Sequence, residues 1–220
     1  PNWVFDSVRG ATKPLVTNST AAEDTEAGSL KSWQSDGFTL GTNNEVNGSS
    51  TQYVSWNWKA GTSFSNSAGA NGASIASTGS ISTTAGFSII SYTGNGSSGT
   101  IAHGLGFKPD IIFTKQRSAS GNNWGGYFSS LGATKDMGIN HTSGADADAS
   151  YWGNTEPTTT VFTVANNARS NASGVTYIAY CFRDVKGYSK VSGSYVGNGN
   201  ANGTFVYLGF KPAFIMVKNT

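Results

Sequence analysis

Charge is scarce in this 220-residue sequence. Asp, Glu, Lys and Arg make up 12% of it, about half the usual share, and the net charge is +2. No Lys/Arg cluster occurs, so the electrostatic footprint of a nucleic-acid binder is missing. No apolar run is long enough to cross a membrane, and membrane insertion is not expected. The single cysteine, Cys181, cannot form an internal disulfide. Small secreted β proteins often carry several, so the expectation is folding in a reducing cytoplasm, with stability from β packing or oligomerisation. No signal peptide is visible, and a start at Pro1 rather than Met leads us to expect an upstream segment.

Catalytic residue types are equally thin. The only histidines are His103 and His141, and no nucleophile-elbow motif accompanies them. His103 precedes a glycine turn and reads as a turn-packing residue. The 12 acidic residues include several in "AAEDTEA" (21–27), a surface-loop composition, which leaves few for a glycosidase acid pair. Asp146 and Asp148 in "GADADAS" lie two apart but lack the rest of a calcium-loop signature, so a solvated loop is expected. Neither an enzyme, a cofactor nor a metal is expected.

Glycine (29 residues), Ser, Thr and Asn are abundant, and aromatics reach 12%. This mixture favours turns and strands over helix interiors and supplies bulk for a core. "GLGFKPDIIF" (104–113) returns as "YLGFKPAFIM" (207–216), and "SYTGNG" (91–96) as "SYVGNG" (194–199). "NW" with "GATK" occurs at 2–13 and again at 123–135. "YVSWNWKAG" (53–61) matches "YIAYCFRDVKG" (177–187), and "DGFTLG" (36–41) matches "TVFTVA" (160–165) more loosely. Correspondences in this order point to a tandem repeat of about 100 residues.

The expected fold is therefore all-β, with tandem β-sandwich units of about 100 residues. Residues 86–187 read as a complete unit, 1–61 as the second half of an earlier one, and 188–220 as the first half of a later one. "DIIFTK", "QYVSWNW" and "TYIAYCF" have the β-branched and aromatic makeup of buried strands, and "KPAFIMVK" repeats the first of them. Residues 62–85 are rich in Ser, Gly and Ala and read as a linker. No such spacer separates Gly187 from Tyr188, so that junction should be the stiffer. Pro109 and Pro212 cannot donate to a ladder and should sit at a strand's first position or on an edge. Phe107 and Phe210, each between Gly and Lys-Pro, are expected as core anchors. The aromatics shared between units (Trp3 with Trp124, Trp56 with Tyr180, Trp58 with Phe182) are likewise expected in the core. Trp33 and Trp152 stand in polar, loop-like surroundings and are the candidate platforms for stacking on sugar.

The stretches "FDSVRGATKPLVTNSTAAEDT" (5–25), "SDGFTLG" (35–41), "YVSWNWKAG" (53–61), "TTAGFSIISYTGNGSSGTIAHGLGFKPDIIFTK" (83–115) and "AYCFRDVKGYSKVSGSYVGNGNANGTFVYLGFKPAFIMVK" (179–218) carry a resemblance. They resemble a repeat domain of unassigned function found in tail-fibre and other virion structural proteins of marine phages, including cyanophages. The resemblance implies a virion location and a β-rich fold. The functional expectation is a tail fibre or related appendage with other virion proteins as partners, whose exposed loops contact host-surface glycan. The alternative is a purely structural capsid-decorating or tail-assembly component. With one Cys, low charge and many aromatics, a homo-oligomer is expected, a trimer being the common form in phage fibres.

Overall fold

A computed structural model describes residues 2–220. The chain is all-β, and its centre is a six-stranded antiparallel sheet. Strands β1 (Trp3–Asp6) and β2 (Gly10–Val16) form a hairpin, as do β3 (Leu30–Trp33) and β4 (Phe38–Leu40). A single helical turn, α1 (Asn44–Asn47), follows. Then come β5 (Thr62–Asn66), β6 (Ser77–Ser82), β7 (Phe87–Thr93), β8 (Gly99–Ala102), β9 (Ile111–Gln116), β10 (Gly125–Phe128), β11 (Lys135–Asp136), β12 (Asp146–Ala147), α2 (Ala149–Trp152), β13 (Val161–Val164) and β14 (Thr176–Phe182).

The central sheet has the order β10-β9-β14-β7-β6-β5. Its last strand in sequence is thus near its middle: Tyr180 of β14 faces Ile89 of β7 on one side and Phe113 of β9 on the other. β14 is buried along almost its whole length because both faces of the sheet are covered. This explains why "TYIAYCF" reads as a continuous apolar run rather than an alternation. On one face, Tyr177, Ala179 and Cys181 meet Tyr92, Ile90 and Ile112 beneath a second layer made by β8 and β13. Tyr92 and Tyr177 stack there with centroids 5.3 Å apart. On the other face, Ile178 and Tyr180 meet Ile89, Trp124 and Leu15 of the β1–β2 hairpin.

Residues 62–85 are not a linker. They supply β5 and β6, two strands of the central sheet, and the turn between them. Small polar residues suit this place because the sheet approaches closely: a Cβ at Gly79 would lie 2.0 Å from the Ile89 carbonyl oxygen. The paired body therefore begins at Thr62 rather than Gly86.

The "GLGFKP" phrase also packs differently from expectation. Gly104 and Gly106 take left-handed backbone (φ +70° and +72°), which turns Leu105 fully inward. Phe107 is pushed out and is 50% exposed, its ring lying under the Arg183 guanidinium at 4.0 Å. Lys108 pairs with Glu156 at 2.6 Å. Pro109 is buried two residues before β9 opens. The core anchor of the phrase is Leu105, not Phe107.

The junction after β14 is tied down. Asp184 accepts from the amides of Val191 (2.7 Å) and Ser192 (2.9 Å) and pairs with Lys190.

Candidate interaction surface

Two segments with strand-like sequences make no strand. Residues 52–60 and 190–220 enter no ladder, and among the described residues no backbone–backbone hydrogen bond involves them. Their large side chains lie open: Tyr53, Trp56 and Trp58 in the first segment, and Tyr195, Phe205, Tyr207, Phe214, Ile215 and Met216 in the second. Val196 and Phe205 are 85% exposed. Folded soluble chains rarely leave so much contiguous apolar surface without a use for it.

The contrast with the paired body is direct. Tyr180 and Tyr177 are buried in β14, whereas their sequence counterparts Trp56 and Tyr53 are exposed. Ile111 and Ile112 are buried in β9, whereas their counterparts Phe214 and Ile215 are exposed. The expectation that 52–58 and 211–218 form buried strands is thus not met, and the equivalent aromatics Trp56 and Trp58 are not core. Phe210 and Pro212 are half-buried, and neither opens a strand. A strand needs a partner for its backbone groups, and β14, β7 and β9 already pair with one another. For the same reason residues 1–61 do not repeat 123–187 strand for strand: β1 pairs with β2, whereas β10 pairs with β9. The two open segments lie side by side, with the Trp56 and Phe214 rings 5.5 Å apart. Trp58 rests against Phe87 and Phe182 at one end of the sheet.

The candidate sugar platforms part company. Trp152 is 2% exposed, because the one-turn helix α2 aims it into the core against Tyr127. Asp148 caps that turn by accepting from the Ser150 amide at 2.8 Å, and Gly153 closes it in left-handed backbone. A buried Trp cannot stack on a sugar. Trp33 is 41% exposed, opposite Phe38 (37%) across the β3–β4 hairpin, and the two make a small open aromatic pair.

The charged groups mostly serve structure. Arg9 donates to Asp6 Oδ2 at 2.5 Å and to the Tyr180 hydroxyl at 3.3 Å, which ties the first hairpin to β14. Burial and the nearby Asp6 carboxylate push the Tyr180 phenol well above its ordinary range, so it stays protonated and donates to Asp6 at 2.6 Å. Glu23 pairs with Arg117 at 2.8 Å and stands 3.4 Å from Arg9. Neither identity nor spacing foretold this network, since Arg117 lies 94 residues from Glu23 and Tyr180 lies 174 from Asp6. Asp136 accepts from the Gly126 amide and from Arg169, both at 2.8 Å, and Arg169 in turn lies over the Tyr151 ring. Burial raises the Asp136 carboxyl to about 6 against those two donors. His103 packs its turn without exposed surface, and Asp146 pairs with Asp136 in the β11–β12 ladder. Among the described residues no group of three or more His, Cys, Asp or Glu side chains converges as metal ligands would. A cleft of about 310 Å³ beside β5, β6 and β7 is lined by Ser, Thr, Asn, Ala and Tyr, with no carboxylate, imidazole, amine or guanidinium among its lining residues.

The chain belongs to a family described as a domain of unknown function, DUF7483, whose model matches residues 1–220. No curated protein matches it. No solved structure matches it either.

Proposed function

We infer that this member of a family of unassigned function is a structural protein of a bacteriophage virion, part of a tail fibre or related appendage, built from tandem β-sandwich units of about 100 residues. The observation that carries the repeat is the duplication described above. The open segments 53–58 and 194–218 copy, in sequence, strands β14, β7 and β9, which the paired body joins side by side. The virion reading is supported by the order of the repeated phrases, which resembles that of phage appendage proteins, and by the all-β architecture. The role is mechanical and adhesive. Each unit is a spacer, the chain assembles with other virion proteins in the host cytoplasm, and exposed loops meet host-surface glycan. Trp33, with Phe38 opposite, is the residue placed for that contact.

The burial of Trp152 favours a second reading, a capsid-decorating or tail-assembly component without a host ligand. Gold-labelled antibody raised against residues 62–187 should mark one location on intact particles. Label confined to the particle-free fraction of a lysate would end both readings. Binding of the wild-type chain to purified host polysaccharide, abolished by Trp33→Ala, selects the adhesive reading. Absent binding selects the structural one, and binding that Trp33→Ala leaves unchanged keeps the adhesive reading but removes Trp33 from it.

A further inference from the structure

The paired body shows what the open segments are for. Every residue of β14 has a partner on each side for most of its length, and the repeat transfers that register to the open segments. Phe182 faces Ile111, Cys181 faces Ile112 and Tyr180 faces Phe113. The same offsets bring Trp58 opposite Phe214, Asn57 opposite Ile215 and Trp56 opposite Met216. On the other edge, the stacked pair Tyr177 and Tyr92 has its counterpart in Tyr53 and Tyr195. All four of the latter pairings join side chains that are open to solvent or, at Asn57, on an exposed backbone.

The two halves also match in charge. Residues 188–220 carry Lys190, Lys211 and Lys218 and no acid. Residues 1–61 carry six acids (Asp6, Glu23, Asp24, Glu26, Asp36, Glu45) against four bases (Arg9, Lys13, Lys31, Lys59). A cationic half thus faces an anionic one, which favours their encounter and disfavours pairing of either with itself.

Both halves are present in a single chain, they touch through Trp56 and Phe214, and yet no ladder joins them. The first half is held elsewhere: its hairpin is fixed on the central sheet by Arg9, by the Glu23–Arg117 pair and by the Trp124 indole donating to the Val16 carbonyl at 3.1 Å. We propose that residues 188–220 of one copy pair with residues 1–61 of a second copy, strand 53–58 of the second lying between the segments around Tyr195 and Phe214–Lys218 of the first. Backbone pairing supplies the affinity, and the Tyr53–Tyr195 stack and the Trp58–Phe214 contact fix the register. The proposal rests on the repeat reading above and is independent of the virion assignment.

The test uses chains that span residues 1–220. Asn57→Cys in one preparation and Ile215→Cys in a second, larger-tagged preparation are unfolded together, refolded and oxidised. Cys181 is buried and serves as the unreactive background. The expected result is a disulfide joining 57 to 215 between chains of different size, identified by peptide mass, while a control pair of Asn57→Cys with Val206→Cys gives none. Without cross-linking, the wild type should run at a multiple of 22.9 kDa, and Ile215→Asp should return it to one chain mass. Ile215 is 68% exposed in the single chain, so that change tests pairing rather than folding. A chain carrying both cysteines that closes only on itself would leave the halves complementary, and the repeat intact, but overturn the second copy as partner. No 57–215 bond in either format would overturn the complementarity as well.

Discussion

His103 stands where β8 ends, with no exposed surface, its Nδ1 accepting from the Leu105 amide at 3.2 Å and its Nε2 set against the Thr158 carbonyl at 3.3 Å. Nε2 therefore carries the proton of a neutral ring. Burial lowers its pKa from 6.5 to about 4, although the Thr158 carbonyl pulls upward. As pH falls, the unfolded chain takes up this proton first. The stability that His103 contributes is full above 6.5 and is lost as pH falls towards 4. Asp136 acts with the opposite sign: its raised carboxyl contributes fully below about 3.8, and that contribution is lost as pH rises through about 6. His103→Gln, which keeps an acceptor and a donor, should flatten the acid-side loss, and Asp136→Asn should remove the opposing trend. Urea unfolding of both variants and the wild type at several pH values between 4.5 and 7 measures this. An H103Q protein whose pH profile parallels the wild type would mean that the imidazole is already charged. The same turn separates anchor from ornament. Leu105→Ala should cost roughly 2–5 kcal/mol, the range for a buried leucine. Phe107→Ala should cost below about 1 kcal/mol, the loss being mainly its contact with Arg183. If the two costs are reversed, Phe107 is the anchor after all.

At the scale of elements, β9 and β14 were legible because each is a run of β-branched and aromatic residues bounded by turn formers. Their order in the sheet was not, since nothing local says that β14 closes the gap between β7 and β9. β5 and β6 were illegible for a physical reason. At a sheet edge that packs backbone against backbone, small residues are required, and "TSFSN" or "STGSIS" then has the composition of a linker. Gly79→Ala tests this. Its Cβ would meet the Ile89 carbonyl, so β6 must move away from β7, at roughly 1–3 kcal/mol. Amide exchange should quicken across residues 78–82 while β9 and β14 keep their protection. Equal loosening of all six strands would show that β5 and β6 are not a separable edge. Trp152 was hidden in another way: its neighbours are polar, and only the Asp148 cap and the Gly153 turn marked the helical bend that buries it. At Phe107 the repeated phrase was legible, but the inward residue lay two positions earlier, between the glycines. Of the candidate surface, only the strand-like composition of 53–58 and 211–218 was legible, and neither segment forms a strand. That they stand unpaired became visible only once β7, β9 and β14 were seen to satisfy one another.

For the molecule as a whole, firmly docked and open parts alternate along the chain, and a protease can read that pattern. Lys59 and Lys190 lie on exposed, ladder-free backbone, whereas Lys115 is fully buried in β9 and donates to the Asn122 carbonyl at 2.9 Å. Brief trypsin treatment of the dilute chain should cut first after Lys59 and after Lys190, because cleavage needs an extended, unpaired stretch. The fragment preceding residue 60 should nevertheless stay bound. It is held by the Glu23–Arg117 pair, by the backbone bonds from Glu23 to Arg117 and from Gly121 to Thr20, and by the buried Tyr180 hydroxyl donating to Asp6 at 2.6 Å. Salt screens such largely buried contacts far less than a surface pair. Native mass spectrometry should therefore find the first fragment and the 60–190 body together, in high salt as well as low. Their separation on cleavage would mean that the covalent link through residues 59–62, not the docking, holds the N-terminal hairpin in place. Raising the chain concentration before digestion extends the argument. If a second copy covers segment 53–58 and the segment after Gly187, cutting at Lys59 and Lys190 should slow together as concentration rises, whereas cutting of a uniformly loose chain would stay unchanged.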